Sequence, residues 1–228
     1  MTENLSQLLK CLSKEAVLPM DASIERTKYT PLDLSVHNTA ITTDILTDPY
    51  RMESYLNTFL LKRHAQVAYG GYNENRDLYK NRNLFGNAAT EARTVHLGMD
   101  FWCTAGTTVL TPLDGKVHSF KDNATSGDYG PTIILYHEVD NFRFYTLFGH
   151  LSRTSLEGLY PGKLFKKGTP IATLGTPEEN VNYAPHLHFQ IIENLNGCSG
   201  DYPGVTTVHE KNRYLANCPN PNLLFNLP

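Results

Sequence analysis

Leu5, Leu8, Leu9 and Leu12 recur at the i, i+3, i+4, i+7 spacing of a helix face. The spacing predicts a short amphipathic helix within residues 4–16. A second apolar stripe, Met52, Tyr55, Leu56, Phe59 and Leu60, follows Asp48-Pro49, an N-cap residue with proline at the first helical position. It predicts a helix running to about residue 65. Residues 18–46 show no period, and the stretches 69–76 and 82–86 are polar and glycine-rich, as loops are. From Thr94 the pattern changes to short runs of strand character at 107–111, 115–121, 131–138, 142–149, 169–174 and 186–193. Turn signals such as Asp114-Gly115, Asp140-Asn141 and Pro161-Gly162 separate them. Six short strands so spaced predict a mainly β fold, an antiparallel sandwich or barrel. The tail, 194–228, is rich in Gly, Pro and Asn and reads as an irregular wrap.

The last strand carries the chemistry. In Pro185-His-Leu-His-Phe-Gln-Ile-Ile192, alternation puts Leu187, Phe189 and Ile191 on one face and His186, His188 and Gln190 on the other. The two imidazoles then stand roughly 6–7 Å apart at the backbone, close enough to serve one metal ion. Upstream lies His96-Leu-Gly-Met-Asp100. In a straight strand its His and Asp would be roughly 13 Å apart, so the chain must bend, and Gly98 tolerates a bend. Two imidazoles and one carboxylate leave a vacant position, the pattern of catalytic zinc. The same donors also build the facial triad of non-haem iron oxygenases. A further histidine, His150, closes the apolar run Phe144–Gly149 ahead of a polar turn.

Composition narrows the classes. The 228 residues are 19% charged and 40% hydrophobic with a net charge of −3, and no Lys/Arg run stands out. Neither nucleic acid nor an anionic membrane surface is an expected partner. No apolar run approaches a membrane span, and Met1–Ser6 lacks the features of a secretory signal, so a cytoplasmic protein is expected. Cys11, Cys103, Cys198 and Cys218 are scattered and read as free thiols, with a Cys198–Cys218 bridge as the alternative. The oligomeric state stays open.

Four motifs in order, His96-Leu-Gly-Met-Asp-Phe101, Ala105–Val117, Gly149-His-Leu-Ser152 and Pro185-His-Leu-His-Phe189, resemble the lysostaphin-type (LytM-like) zinc metallopeptidases, as does the stretch Lys167–Gly175. The resemblance covers residues 94–193. It implies the family's antiparallel β architecture, zinc held by His96, Asp100 and His188, and catalytic roles beside the metal for His150 and His186. It implies hydrolysis of a peptide or small amide, with cell-wall-type peptides the family's usual substrates. Phe148-Gly149 stands where the family commonly has Tyr-Ala, which predicts loss of any help from that hydroxyl. Tyr72-Asn-Glu-Asn-Arg76, Gly127-Asp-Tyr-Gly-Pro131 and Cys218-Pro-Asn-Pro-Asn222 resemble a branch fused to kinase-like and pyridoxal-phosphate aminotransferase domains.

Two units follow from this reading. Residues 1–90 form a helical and loop extension that could cover the site, with Asn73, Glu74 or Asn75 filling the open metal position. Residues 91–228 form the β domain with its tail. The alternative to an enzyme is a non-catalytic metal-binding regulatory or ligand-binding module on the same fold.

Overall fold

The computed structural model describes residues 4–76 and 92–228. Twelve strands are found among them: β1 (Tyr29–Pro31), β2 (Val67–Gly70), β3 (Val95–His96), β4 (Met99–Trp102), β5 (Thr108–Leu110), β6 (Gly115–Asn123), β7 (Gly130–Val139), β8 (Phe142–Gly149), β9 (Leu164–Phe165), β10 (Pro170–Thr173), β11 (His186–Ile192) and β12 (Val205–Thr206). The helices are α1 (Leu5–Leu12), α2 (Thr43–Thr47), α3 (Pro49–Lys62), α4 (Lys211–Asn217) and α5 (Asn222–Phe225). Eight strands form one sheet in the order β1-β2-β4-β11-β8-β7-β6-β9. Every neighbouring pair in it is antiparallel except β1–β2. β5 pairs with β10, and β3 with β12, in two small ribbons. The mainly β expectation holds, and all six strands read from the pattern are present.

Alternation assigns the two faces of the sheet. Met99, Phe101, Ile133, Leu135, Phe144, Phe148, Leu187, Phe189 and Ile191 belong to the main core. α1 adds Leu5 and Leu9 to it, at roughly 1.5–3 kcal/mol for each leucine buried. Asn4 and Gln7 close the start of α1 by a reciprocal capping box. On the opposite face stand Asp100, Trp102, His186, His188 and Gln190. α3 begins as expected, the Asp48 carboxylate accepting from the amides of Tyr50 and Arg51, and it sets Met52 and Leu56 beside Trp102.

The period reading missed β1, β2, β3, β4, β9, β12, α2 and the tail helices. β1 and β2 are three and four residues long, too short to show alternation, and they exist because β2 pairs with β4. The tail is not wholly irregular. It holds α4 and α5, and α5 places Phe225 against Phe101 and Phe189, with ring centroids 5.5 and 5.0 Å away. Residues 82–86, read as loop, and the expected unit boundary at 90/91 involve positions outside the described residues. All four cysteines are free thiols. Among the described residues no helix is long and apolar enough to cross a membrane.

One buried histidine lies away from the site. The His137 imidazole is bonded to the Asp114 carbonyl at 2.8 Å and the Thr146 hydroxyl at 2.7 Å, and burial pushes its pKa down to about 4. From pH 6.5 down to about 4 the unfolded chain therefore takes up a proton that the folded chain refuses. Stability is full above pH 6.5 and falls as the pH drops towards 4, by about 3 kcal/mol from this group. Urea midpoints at pH 7 and 4.5 are expected to lie closer together in His137→Gln than in the parent. An unchanged gap would contradict this account.

Candidate metal centre

The strand register brings the ligand set together. His188 on β11 lies opposite Asp100 on β4 and Gly149 on β8. His96 ends β3, which leaves the main sheet to pair with β12, so the chain turns at Leu97-Gly98 as the spacing required. His96 Nε2 and His188 Nδ1 are 2.9 Å apart, and Asp100 Oδ1 lies 3.3 and 3.2 Å from them. All three side chains are buried. Gly98 is not in the left-handed region. Its lack of a side chain serves packing: a Cβ there would come within 2.5 Å of His188 Cε1. Gly98→Ala is expected to displace the imidazole and weaken zinc binding on the order of 10–100-fold, measured by chelator competition with circular dichroism as the folding control.

Hydrogen bonds behind the cluster decide which atoms face it. His96 Nδ1–H donates to the Gly71 carbonyl at 3.0 Å, so Nε2 presents a lone pair. His188 Nε2–H donates to Gln190 Oε1 at 2.9 Å, so Nδ1 presents a lone pair. Asp100 Oδ1 has no hydrogen-bond donor, while Oδ2 accepts from Arg76 Nη1 at 2.6 Å. In the tautomers that these bonds select, three acceptor atoms converge. A divalent cation satisfies that arrangement, and two nitrogens with one oxygen suit zinc. Burial alone would raise the Asp100 carboxyl, but attraction to His96, which is charged at the acid pH where Asp100 would titrate, and then to Arg76 outweighs it and holds it well below the usual range. Burial pushes His96 down to about 4, keeping it neutral and able to act as a ligand.

His150 and His186 stand beside this cluster with ring centroids 4.2 Å apart. His186 Nδ1–H donates to the Ala184 carbonyl at 2.7 Å, and Trp102 stacks on the ring at 5.9 Å. His150 has φ +63°, a left-handed conformation held by bonds from its own amide to Tyr129 O and from Gly175 N to its carbonyl. This turn at the end of β8 carries the imidazole to within 6.4 Å of the His188 ring. His150 Nδ1 is buried without a hydrogen-bond partner. Burial, then the neighbouring imidazoles, pushes His150 far below its ordinary value, and burial also lowers His186. All five expected residues line one cavity of about 540 Å³.

Some partners were not foreseen. Tyr129 lies with its hydroxyl 3.4 Å from His188 Nε2, in space left by Gly149 and Gly204, where a Cβ would strike its ring or hydroxyl. The expectation that Phe148 costs the site a hydroxyl is overturned. Residue 148 points into the core against Phe189, so a tyrosine there would face away from the metal cluster. Gln190, on the expected face, supports His188 and donates to Pro203 O. Of the loop 72–76, Arg76 rather than Asn73, Glu74 or Asn75 lines the cavity. Asn73 and Asn75 are exposed, and the Glu74 carboxylate accepts from Arg76 and the Leu34 amide. Tyr129 and Arg76 both fall in the motifs singled out from the sequence, but no role could be read from motif position alone.

Comparison with known proteins shows what part of the chain is similar to. Residues 94–199 match the model of Peptidase family M23. The M23 segment contains all five histidine and aspartate positions described above. An uncharacterized metalloprotease of Haemophilus influenzae is 32% identical over 126 residues, covering 53% of this chain and 24% of that protein, so the chain spans about a quarter of this relative. The catalytic domain of lysostaphin from Staphylococcus simulans is 26% identical, over 53% of this chain and 80% of that one, with a TM-score of 0.37. A zinc-containing peptidase from Vibrio cholerae is 27% identical, over 46% and 29%, with a TM-score of 0.37. His96, Asp100 and His188, the residues that could hold a metal ion, all lie inside the matched segment.

Proposed function

We propose that the protein is a zinc-dependent endopeptidase or amide hydrolase acting on a small or cell-wall-type peptide. The observation that carries this reading is the meeting of His96 Nε2, Asp100 Oδ1 and His188 Nδ1, unprotonated, beside the His150–His186 pair. His96, Asp100 and His188 would hold the zinc, which when bound supplies a Lewis acid that polarises a carbonyl and acidifies water. His186, with Nδ1–H committed to Ala184, keeps Nε2 free to take the proton of the attacking water. The proton taken up by His186 can then pass to the leaving amine, while His150, buried and neutral, can donate an N–H hydrogen bond to the developing oxyanion. Trp102 fixes the His186 ring and limits water around it.

A cavity of about 540 Å³ suits a short peptide segment rather than a folded chain. The flanking motifs extend the reading towards a metabolic, intracellular branch with kinase-like and aminotransferase partners. A structural metal alone would not call for the two neighbouring neutral imidazoles, which disfavours the non-catalytic module. The test is zinc quantification together with hydrolysis of short peptides containing small and D-residues. A metal-free protein that cleaves none of them would refute the proposal.

A further inference from the structure

Residues 71–76 reach the metal cluster, and Arg76 also lines the cavity beside it. The Gly71 carbonyl holds His96 Nδ1–H, and Arg76 Nη1 grips Asp100 Oδ2 at 2.6 Å. Both side chains of the ion pair are almost wholly buried, at 3% and 1% exposed. Arg76 is itself anchored: its Nε donates to Glu74 Oε2 at 2.8 Å, and its amide donates to the Thr94 carbonyl. Glu74 is anchored in turn by the Leu34 amide on its other oxygen. Gly71, at φ +102°, allows the close approach, since a Cβ there would lie 2.0 Å from Arg76 Nη2. Asp100 Oδ1 faces His96 and His188, and Oδ2 accepts from Arg76 in this strap.

We propose that Arg76 is a positioning residue of the centre that confines Asp100 to a single-oxygen ligand through Oδ1. The inference rests on the zinc peptidase reading above. A carboxylate with both oxygens free can close on a metal through both, taking a position that water or substrate needs. A guanidinium prevents this because its rigid fork holds Asp100 with one nitrogen and Glu74 with another. Lysine offers a point charge and cannot reproduce the fork. The segment before the M23 match is therefore part of the metal centre, and its charged loop serves the ligand instead of plugging the open position.

The test uses the full chain, stripped of metal and loaded with Co²⁺, in the parent, Arg76→Met and Arg76→Lys. The parent is expected to give the intense visible bands of a four-coordinate ion. Arg76→Met should show weaker bands from added oxygen coordination, with kcat for peptide hydrolysis lowered about 10–100-fold and KM little changed. Arg76→Lys should fall between the two. A folded Arg76→Met with the parent's spectrum and kcat overturns the proposal. Should Arg76→Met not fold, a parental spectrum and kcat in Arg76→Lys overturns it instead. Failure of the underlying reading looks different: a parent that takes up no Co²⁺, or a His188→Ala variant that keeps it, sinks the metal centre and the role of Arg76 together.

Discussion

His188→Ala is expected to come without stoichiometric zinc and to hydrolyse peptide on the order of 10³-fold more slowly or worse. His188 contributes one of the three acceptor atoms, and its imidazole lies against both of the others. Losing it leaves His96 Nε2 and Asp100 Oδ1 as two donors, too few to retain a catalytic zinc ion firmly. Zinc is worth several kcal/mol of charge stabilisation in the transition state, and each 1.36 kcal/mol is a factor of ten in rate. Gln190 and Tyr129 would each lose one contact as well, so some loss of thermal stability should accompany the change. Metal analysis and rates measured on the same folded preparation decide the matter. Bound zinc with undiminished hydrolysis would rule out this assignment.

Replacing His150 or His186 should separate metal binding from chemistry. Neither histidine belongs to the group of ligand atoms formed by His96, Asp100 and His188, so His150→Ala and His186→Ala are each expected to retain zinc. Each should lower kcat by about 10²–10⁴-fold, the range for a lost proton-transfer group. With ring centroids 4.2 Å apart the two act as a unit, so the double variant should lose much less than the product of the single losses. Multiplicative losses would show that the histidines work independently. Zinc loss in either variant would move that histidine into the ligand set.

Much of the site was legible because its residues lie in short motifs with distinct periods. Alternation in 186–192 placed His186, His188 and Gln190 on one face, and the register with β4 and β8 agrees. The spacing of His96 and Asp100 demanded a bend, and the chain bends at Leu97-Gly98. The glycine's reason was different from the one expected. The His188 ring needs the space, a contact between residues 90 positions apart that no local pattern encodes. Phe148 was misjudged for a related cause. Its neighbour in sequence, Gly149, faces the site, and a single step along a strand reverses the side.

The amino-acid sequence by itself determined the mainly β character, helices α1 and α3, the placing of His186 and His188 on one strand face and a donor chemistry that suits zinc. These depend on periods, caps and side-chain types, which act within a few residues. Only the tertiary structure decided which nitrogen of each histidine faces the metal, that Tyr129 and Gln190 stand behind His188, and that Arg76 grips Asp100. It alone also joined β1 and β2 to the sheet and seated Phe225 in the core. Each of these is a contact between distant segments, whose geometry is set by strand register and packing once the chain has closed on itself.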